Sequence, residues 1–193
     1  KGTFKGMMEK IPYLVSLGVK QLELMPIYEF EEFPRPKKKR SKYEPEKRAE
    51  GLALNYWGYT SGYYFAPKAS YAYGKDASKE LKDLVKALHK AGIELILEFY
   101  FDDTVSPNMI MDCLKFWVEE YHIDGFRFDL VGLIDVQTVQ AIIKTVHNTH
   151  PDVIFYGEGW HMNTRLTKDG VALATQSNAD KLPEFSFFND TIR

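Results

Sequence analysis

Asp124-Gly125-Phe126-Arg127-Phe128-Asp129-Leu130-Val131 is the stretch on which the reading of this chain turns. Taken at strand period, Phe126, Phe128 and Leu130 make one apolar face, while Gly125, Arg127 and Asp129, with Val131, make the other. A guanidinium and a carboxylate two residues apart thus point the same way from a strand that otherwise reads as buried. Burying charge costs several kcal/mol per ion unless it is paired and hydrogen-bonded, so the pair asks for a reason. A salt bridge at a strand end would be one. A second acid suggests another: Glu158, in Phe155-Tyr156-Gly157-Glu158-Gly159-Trp160, closes the next predicted strand after one intervening helix. Two successive strands therefore each end in an acid, and the first also carries an arginine.

Outward from this stretch, strand and helix alternate. Phe4, Met7, Met8, Ile11, Leu14, Val15 and Leu17 recur at helical spacing, with Gly18 as the C-cap. Residues 19–25 read as a strand stopped by Pro26. Asp76 or Ser78 caps a helix whose apolar face is Leu81, Leu84, Val85 and Leu88, ending at Gly92. Residues 93–101 are apolar on both faces over most of their length, as in a parallel strand covered on each side. Ser106 as N-cap and Pro107 at the first helical position open a helix to Tyr121. A helix over 136–148, a strand over 153–156 and a last strand over 184–188 complete the pattern. Strict alternation predicts an α/β fold with a parallel sheet or barrel, in which ligands sit at the carboxyl ends of strands. Arg127, Asp129 and Glu158 all fall there.

Composition narrows the function classes. A formal charge of −2 argues neither for nucleic acid nor for an anionic membrane surface, and neither is expected as a partner. No apolar run approaches the ~18 residues of a membrane span, and no signal peptide is visible, so a cytoplasmic setting is the default although the chain opens on Lys1 rather than Met. The lone Cys113 falls in a predicted helix, where core packing is its expected role. Residues 28–54 read as a polar loop insertion; its Arg35, Lys37, Lys38, Lys39, Arg40 and Lys42 are interleaved with glutamates and prolines, which favours a solvated, mobile segment over a polyanion signal. Asn55-Tyr56-Trp57-Gly58-Tyr59 then opens an aromatic cluster that continues through Tyr63, Tyr64, Phe65, Tyr71 and Tyr73. Buried packing under a long loop is one reading. Sugar rings, which offer apolar C–H faces for stacking, are the other.

Two carboxylates across an aromatic cleft suit glycoside hydrolysis. In the retaining form one attacks the anomeric carbon and the other protonates the leaving oxygen, from roughly 5–5.5 Å apart. An arginine favours an ionised neighbour, which makes Asp129 the expected nucleophile, held charged by Arg127. Glu158, among Phe155, Tyr156 and Trp160, is the expected acid, kept protonated by desolvation. No G-x-G-x-x-G follows a strand, and His122, His147, His150 and His161 are scattered, so neither a dinucleotide nor a zinc site is expected. Asp102-Asp103 suggests at most a structural cation, with a solvated loop pair preferred and no cofactor expected.

At these residues the chain resembles glycoside hydrolase family 13, the α-amylase family, and within it the α-1,6-debranching members: pullulanases, isoamylases and bacterial glycogen debranching enzymes. The resemblance rests on Asn55-Tyr56-Trp57-Gly58-Tyr59, Asp124-Gly125-Phe126-Arg127-Phe128-Asp129-Leu130, Tyr156-Gly157-Glu158-Gly159-Trp160 and Phe187-Phe188-Asn189-Asp190, with Val131-Gly132-Leu133-Ile134-Asp135 leaning toward pullulanase. It runs from Gly2 to the last residue in matching order. It implies part of a (β/α)8 TIM barrel, roughly helix 1 through strand 6, with residues 1–193 a fragment of the catalytic domain and a long loop after strand 2. By the same resemblance Asp129 is the nucleophile, Glu158 the acid/base, Arg127 the residue that orients the nucleophile, Tyr59 the ring under the sugar, and Trp57 and Trp160 further glucan contacts.

Departures are visible too. The family's third acid would lie beyond Arg193. The motif after the third strand, normally Asp then Asn-His, here reads Glu98, Asp102 and Asp103, so Asp103 stands in the place of the sugar-binding histidine and is carried as a substrate contact. The segment from Thr104 to Asn108 is shorter than the usual substrate loop. The expected activity is hydrolysis of α-1,6 bonds in pullulan-, glycogen- or starch-type α-glucans, the isolated fragment being inactive. A glucan-binding or assembly module without turnover is one alternative, and a transglycosylase is another. A sheet cut at both sides would also present edges through which the chain self-associates.

Overall fold

The computed structural model of the chain describes residues 2–32, 54–162 and 164–189. Two short helices, α1 (Phe4–Met8) and α2 (Ile11–Ser16), lead into β1 (Gln21–Leu24). Next come β2 (Tyr28–Glu29) and β3 (Tyr63–Pro67), then α3 (Ala77–Lys90), β4 (Glu94–Tyr100) and α4 (Pro107–Tyr121). The chain continues through β5 (Gly125–Asp129), α5 (Val136–His147), β6 (Ile154–Gly157), α6 (Arg165–Lys168) and β7 (Ser186–Phe187). Strands β1, β4, β5, β6 and β7 form one sheet in that order, every pairing parallel, while β2 and β3 pair antiparallel on their own. Each strand of the main sheet neighbours the next one made. A doubly wound sheet would reverse direction part-way, and this one does not.

The three long helices start where side chains satisfy their free backbone N–H groups. Asp76 accepts from Lys79 N at 2.9 Å to open α3, Ser106 from Met109 N at 3.3 Å to open α4, and Asp135 from Thr138 N at 2.8 Å to open α5. Leu81, Leu84, Val85 and Leu88 of α3 are all buried, as their spacing predicts, and so is Cys113 of α4. On the sheet, Leu95, Leu97 and Phe99 of β4 and Phe126 and Phe128 of β5 are buried in the core shared with the helices. Phe99 stacks on Phe101 with centroids 5.4 Å apart and on Tyr28 at 5.1 Å, and meets Trp117 and Phe126 edge-on. Trp117 donates its indole N–H to Tyr64 O at 2.7 Å, tying α4 to β3.

Four expectations change on this structure. The first helix is two: a new one begins at Ile11 with Pro12 in its first turn, and Val15 and Leu17 lie exposed rather than in the core. The strand of 124–131 stops at Asp129, because Leu130 turns into the left-handed region (φ 50°) and Val131 begins a tight 3-10 turn. The last strand is reduced to Ser186–Phe187. The polar insertion does not begin at residue 28 either. Tyr28 and Phe30 are core residues, and Lys68, 2% exposed, bonds Glu29 at 2.8 Å, Glu32 at 3.0 Å and Phe30 O at 3.0 Å. Residues 33–53, the rest of that insertion, lie outside the described residues.

Candidate active site

The register of three strands sets the site. Glu98 of β4, Arg127 of β5 and Tyr156 of β6 are direct neighbours in one row across the sheet. Period-2 alternation sends them to the face opposite Phe99, Phe126 and Phe155. Asp129 ends β5 beside Tyr100. Glu158 follows β6, its N–H donating to Phe128 O at 3.1 Å. From β1, Glu23 reaches the same row.

Arg127 sits at the centre, 9% exposed. Its Nη1 donates to Glu98 Oε2 at 2.5 Å and its Nη2 to Glu158 Oε1 at 2.8 Å, while Nε lies 3.7 Å from Glu23 Oε1. The Phe188 ring lies 5.3 Å from the guanidinium carbon. The Tyr59 hydroxyl donates to Glu98, and the Tyr156 hydroxyl donates to Glu23. The remaining neighbours are acids: Glu23 lies near enough to Glu98, and Glu158 to Asp129, to perturb its charge. Three carboxyl groups therefore share one guanidinium, with Asp129 a fourth acid beside Glu158.

The charges reflect this crowding. Burial pushes Glu98 up to about 7; the Glu23 carboxyl adds to that, against the pull of Tyr59 and Arg127. Burial, then the charge of Glu158, pushes Asp129 up to about 6, and Arg127 offsets only part of it. The phenols of Tyr59 and Tyr156 are also raised, by burial first and then by the hydrogen-bonded acid beside each.

The surroundings differ from those expected. Arg127 is bonded to Glu98 and Glu158, and its charge offsets only part of the upward push on Asp129. Glu158, expected in an apolar pocket, is instead an ion-pair partner of Arg127 with its side chain 22% exposed.

The other candidates spread outward from this centre. Tyr59 belongs to the cluster through Glu98, and Trp57 stacks near it, the rings 19° from parallel with centroids 6.5 Å apart. Trp57 is 63% exposed, so it is no packing residue. Gly58 holds the two rings in place: its φ is +80°, and a Cβ there would lie 2.7 Å from the Phe30 ring. Trp160 lies beyond Glu158, its carbonyl so close to Gly132 that a Cβ there would come within 2.1 Å of it. Asp103 accepts from Arg165 N at 3.1 Å, and its carbonyl accepts from the Arg165 guanidinium. Asp102 accepts from Ser61 at 2.5 Å and from Thr104 N at 2.8 Å. Among the described residues no group of three or more His, Cys, Asp or Glu is arranged to hold a metal. Two cavities, of about 450 Å³ against α5 and about 190 Å³ behind Asp102 and Asp103, include none of the four acids.

Comparison with known proteins agrees with the resemblance. No family model matches the chain. Pullulanase of Bacillus subtilis (strain 168) is 29% identical, over 99% of this chain and 31% of its own length. Chloroplastic isoamylase 3 of Oryza sativa subsp. japonica is 34% identical over 69% of this chain and 23% of its own length. Among solved structures, pullulanase from Paenibacillus barengoltzii, crystallised with maltohexaose and α-cyclodextrin, superposes with a TM-score of 0.80 at 28% identity, covering all of this chain and 36% of that one. This chain belongs to the debranching branch of glycoside hydrolase family 13.

The five parallel strands are thus part of that family's (β/α)8 barrel, and the chain spans about a third of the length of the pullulanases it matches. The alignment with the Bacillus protein runs over 235 positions against 193 residues here, so at least 42 positions of the debranching relative have no counterpart. Glu23 escaped the motif reading, although a signal existed: it is an acid between Leu22 and Leu24 in a predicted strand, the same anomaly that drew notice to Arg127. Tyr156 and Phe188 stood within the quoted motifs but were assigned no role in the site.

Proposed function

We propose that this chain carries the reacting acids of a retaining α-glucan debranching hydrolase that cuts α-1,6-glucosidic bonds. The observation that carries the reading is the placement of Asp129 and Glu158 at the carboxyl ends of adjacent parallel strands, one residue past the paired Phe128 and Gly157, with Tyr59 joined to Arg127 and Glu158 through Glu98. In this reading Trp57 and Tyr59 offer a stacking platform to the glucan, with Trp160 and Asp103 as further contacts. Ionised Asp129 attacks the anomeric carbon while Glu158 gives a proton to the departing oxygen, leaving a glycosyl ester on Asp129. Glu158 then takes a proton from water, which attacks the same carbon and frees Asp129. A cytoplasmic setting goes with the proposal; fractionation of the source cells tests it.

The activity test measures reducing ends released from pullulan and from unbranched amylose by the full-length protein, with NMR of the first product to read its anomer. Release from pullulan, retention of the α-anomer and loss of both with Asp129→Asn are expected. Inversion, or turnover that persists in Asp129→Asn, would overturn the assignment. One observation favours a second reading, binding without turnover: Asp103, in the place of the sugar-binding histidine, is occupied by Arg165. Retarded migration in pullulan-containing gels with no reducing ends at any pH would select it.

A further inference from the structure

Glu23 has no part in the two-acid scheme, yet four groups converge on it or on its partner. The Tyr156 hydroxyl of β6 donates to its carboxylate, Arg127 Nε of β5 lies 3.7 Å away, and Glu98 of β4 binds the same guanidinium at 2.5 Å and feels the Glu23 carboxyl. Tyr59 donates to the same Glu98 oxygen, Oε2, that Arg127 binds. We propose that Glu23 is a positioning residue: held by Tyr156, it forms a hydrogen-bonded carboxyl pair with Glu98 and thereby decides whether Arg127 serves Glu98 or the Asp129–Glu158 pair. The last two are the reacting acids under the hydrolase reading, on which the inference rests for its consequence.

The physical argument is one of competition. Two carboxyl groups in hydrogen-bond contact retain one proton between them to higher pH than either would alone. While Glu98 carries that proton, its bond to Arg127 Nη1 is to a neutral oxygen, and the guanidinium charge is left to Glu158 and Asp129. When Glu98 ionises, the 2.5 Å contact becomes a full ion pair and draws the charge away. Burial of Glu98, 5% exposed, works in the same direction as Glu23. Arg127 and Tyr59 oppose both, and Asp129 and Glu158 stand on the other side of the guanidinium. Glu23 is the member of this set that a conservative change can neutralise without touching the reacting pair.

The test follows the side-chain carboxyl carbon of Glu98 by carbon-13 NMR in the full-length protein without glucan, with its resonance assigned by loss in Glu98→Gln. In Glu23→Gln the amide donates to Glu98, so the Glu98 midpoint should fall by one pH unit or more, and the Arg127 Nε resonance should titrate with it. Tyr156→Phe should move the midpoint the same way by a smaller amount. A midpoint within 0.3 unit of the parent in folded Glu23→Gln would overturn the proposal, as would an Arg127 signal that ignores Glu98. Because the titration is read without substrate, failure to hydrolyse pullulan refutes the hydrolase reading and leaves this result intact.

Discussion

Replacing Arg127 by Met removes the one cation from among four acids at nearly constant bulk. The guanidinium bonds Glu98 at 2.5 Å and Glu158 at 2.8 Å, so truncation leaves two partners without their donor. Breaking a buried ion pair from one side costs about 3–5 kcal/mol, and partial hydration of Glu158 and Glu23, with side chains 22% and 36% exposed, puts the value at pH 8 near 3. At pH 5 the cost should be smaller. Glu98, raised to about 7, and Asp129, raised to about 6, then carry protons and need the guanidinium less. The sign follows from linkage. An acid whose folded value lies above its unfolded one contributes stability that is complete below the unfolded value and lost as pH rises through the folded one. Removing Arg127 raises these acids further, so the mutant loses more than the parent between pH 5 and pH 8, by roughly 1–2 kcal/mol. Urea unfolding of parent and Arg127→Met at both pH values measures it. An equal cost at pH 5 and pH 8 would refute the shared-guanidinium account and leave Arg127 as simple packing.

Three further outcomes follow from the same geometry. The acidic limb of kcat/KM on pullulan should have its midpoint near pH 6, where Asp129 ionises; a limb below pH 4.5 would mean that Asp129 is not the group that must be charged. Lys68→Met should destabilise by about 2–4 kcal/mol at neutral pH, since it strips Glu29, Glu32 and Phe30 O of their buried donor, and in the parent this contribution fades on acidification through the depressed values of Glu29 and Glu32; thermal unfolding at pH 7 and pH 3 checks both halves. Trp57→Ala, at a residue 63% exposed, should leave stability within about 0.5 kcal/mol while weakening retention in pullulan gels by about 1 kcal/mol, and unchanged retention would remove Trp57 from the glucan platform.

Much of this was legible in the chain because helix and strand periods are local. The apolar set of α3 and the cap Ser106 needed only spacing and residue type, which also narrowed the cap of α3 to Asp76 or Ser78, and the face division of β5 needed only alternation. What stayed hidden depends on groups far apart in sequence. Pairing of β2 with β3 joins residues 28–29 to 63–67 across the long insertion, and no short-range pattern announces it. The partners of Arg127 were misjudged for a related reason. Asp129 is near in sequence and on the same face, yet parallel register sets Glu98, twenty-nine residues earlier, directly alongside Arg127.

Register also explains why the acids outnumber the base without breaking the fold. Helix-facing positions of β4, β5 and β6 carry the apolar area, with Phe99, Phe126 and Phe155 all buried, so the sheet is held from one side. The opposite face can then carry like charges at close quarters, with protons and the hydroxyls of Tyr59 and Tyr156 making up for the missing cations. Each such substitute is reversible. A proton can leave and a hydroxyl can turn to a ligand, whereas a second arginine would tie the acids into permanent ion pairs. On the hydrolase reading, a surplus of acids over bases on a face supported from behind is therefore the setting in which Asp129 would act as the charged group and Glu158 as the proton donor. Adding a cation should weaken that capacity: Phe188→Lys, beside Arg127, should lower the Asp129 midpoint and slow turnover while raising stability at pH 8, and a faster enzyme would contradict the reasoning.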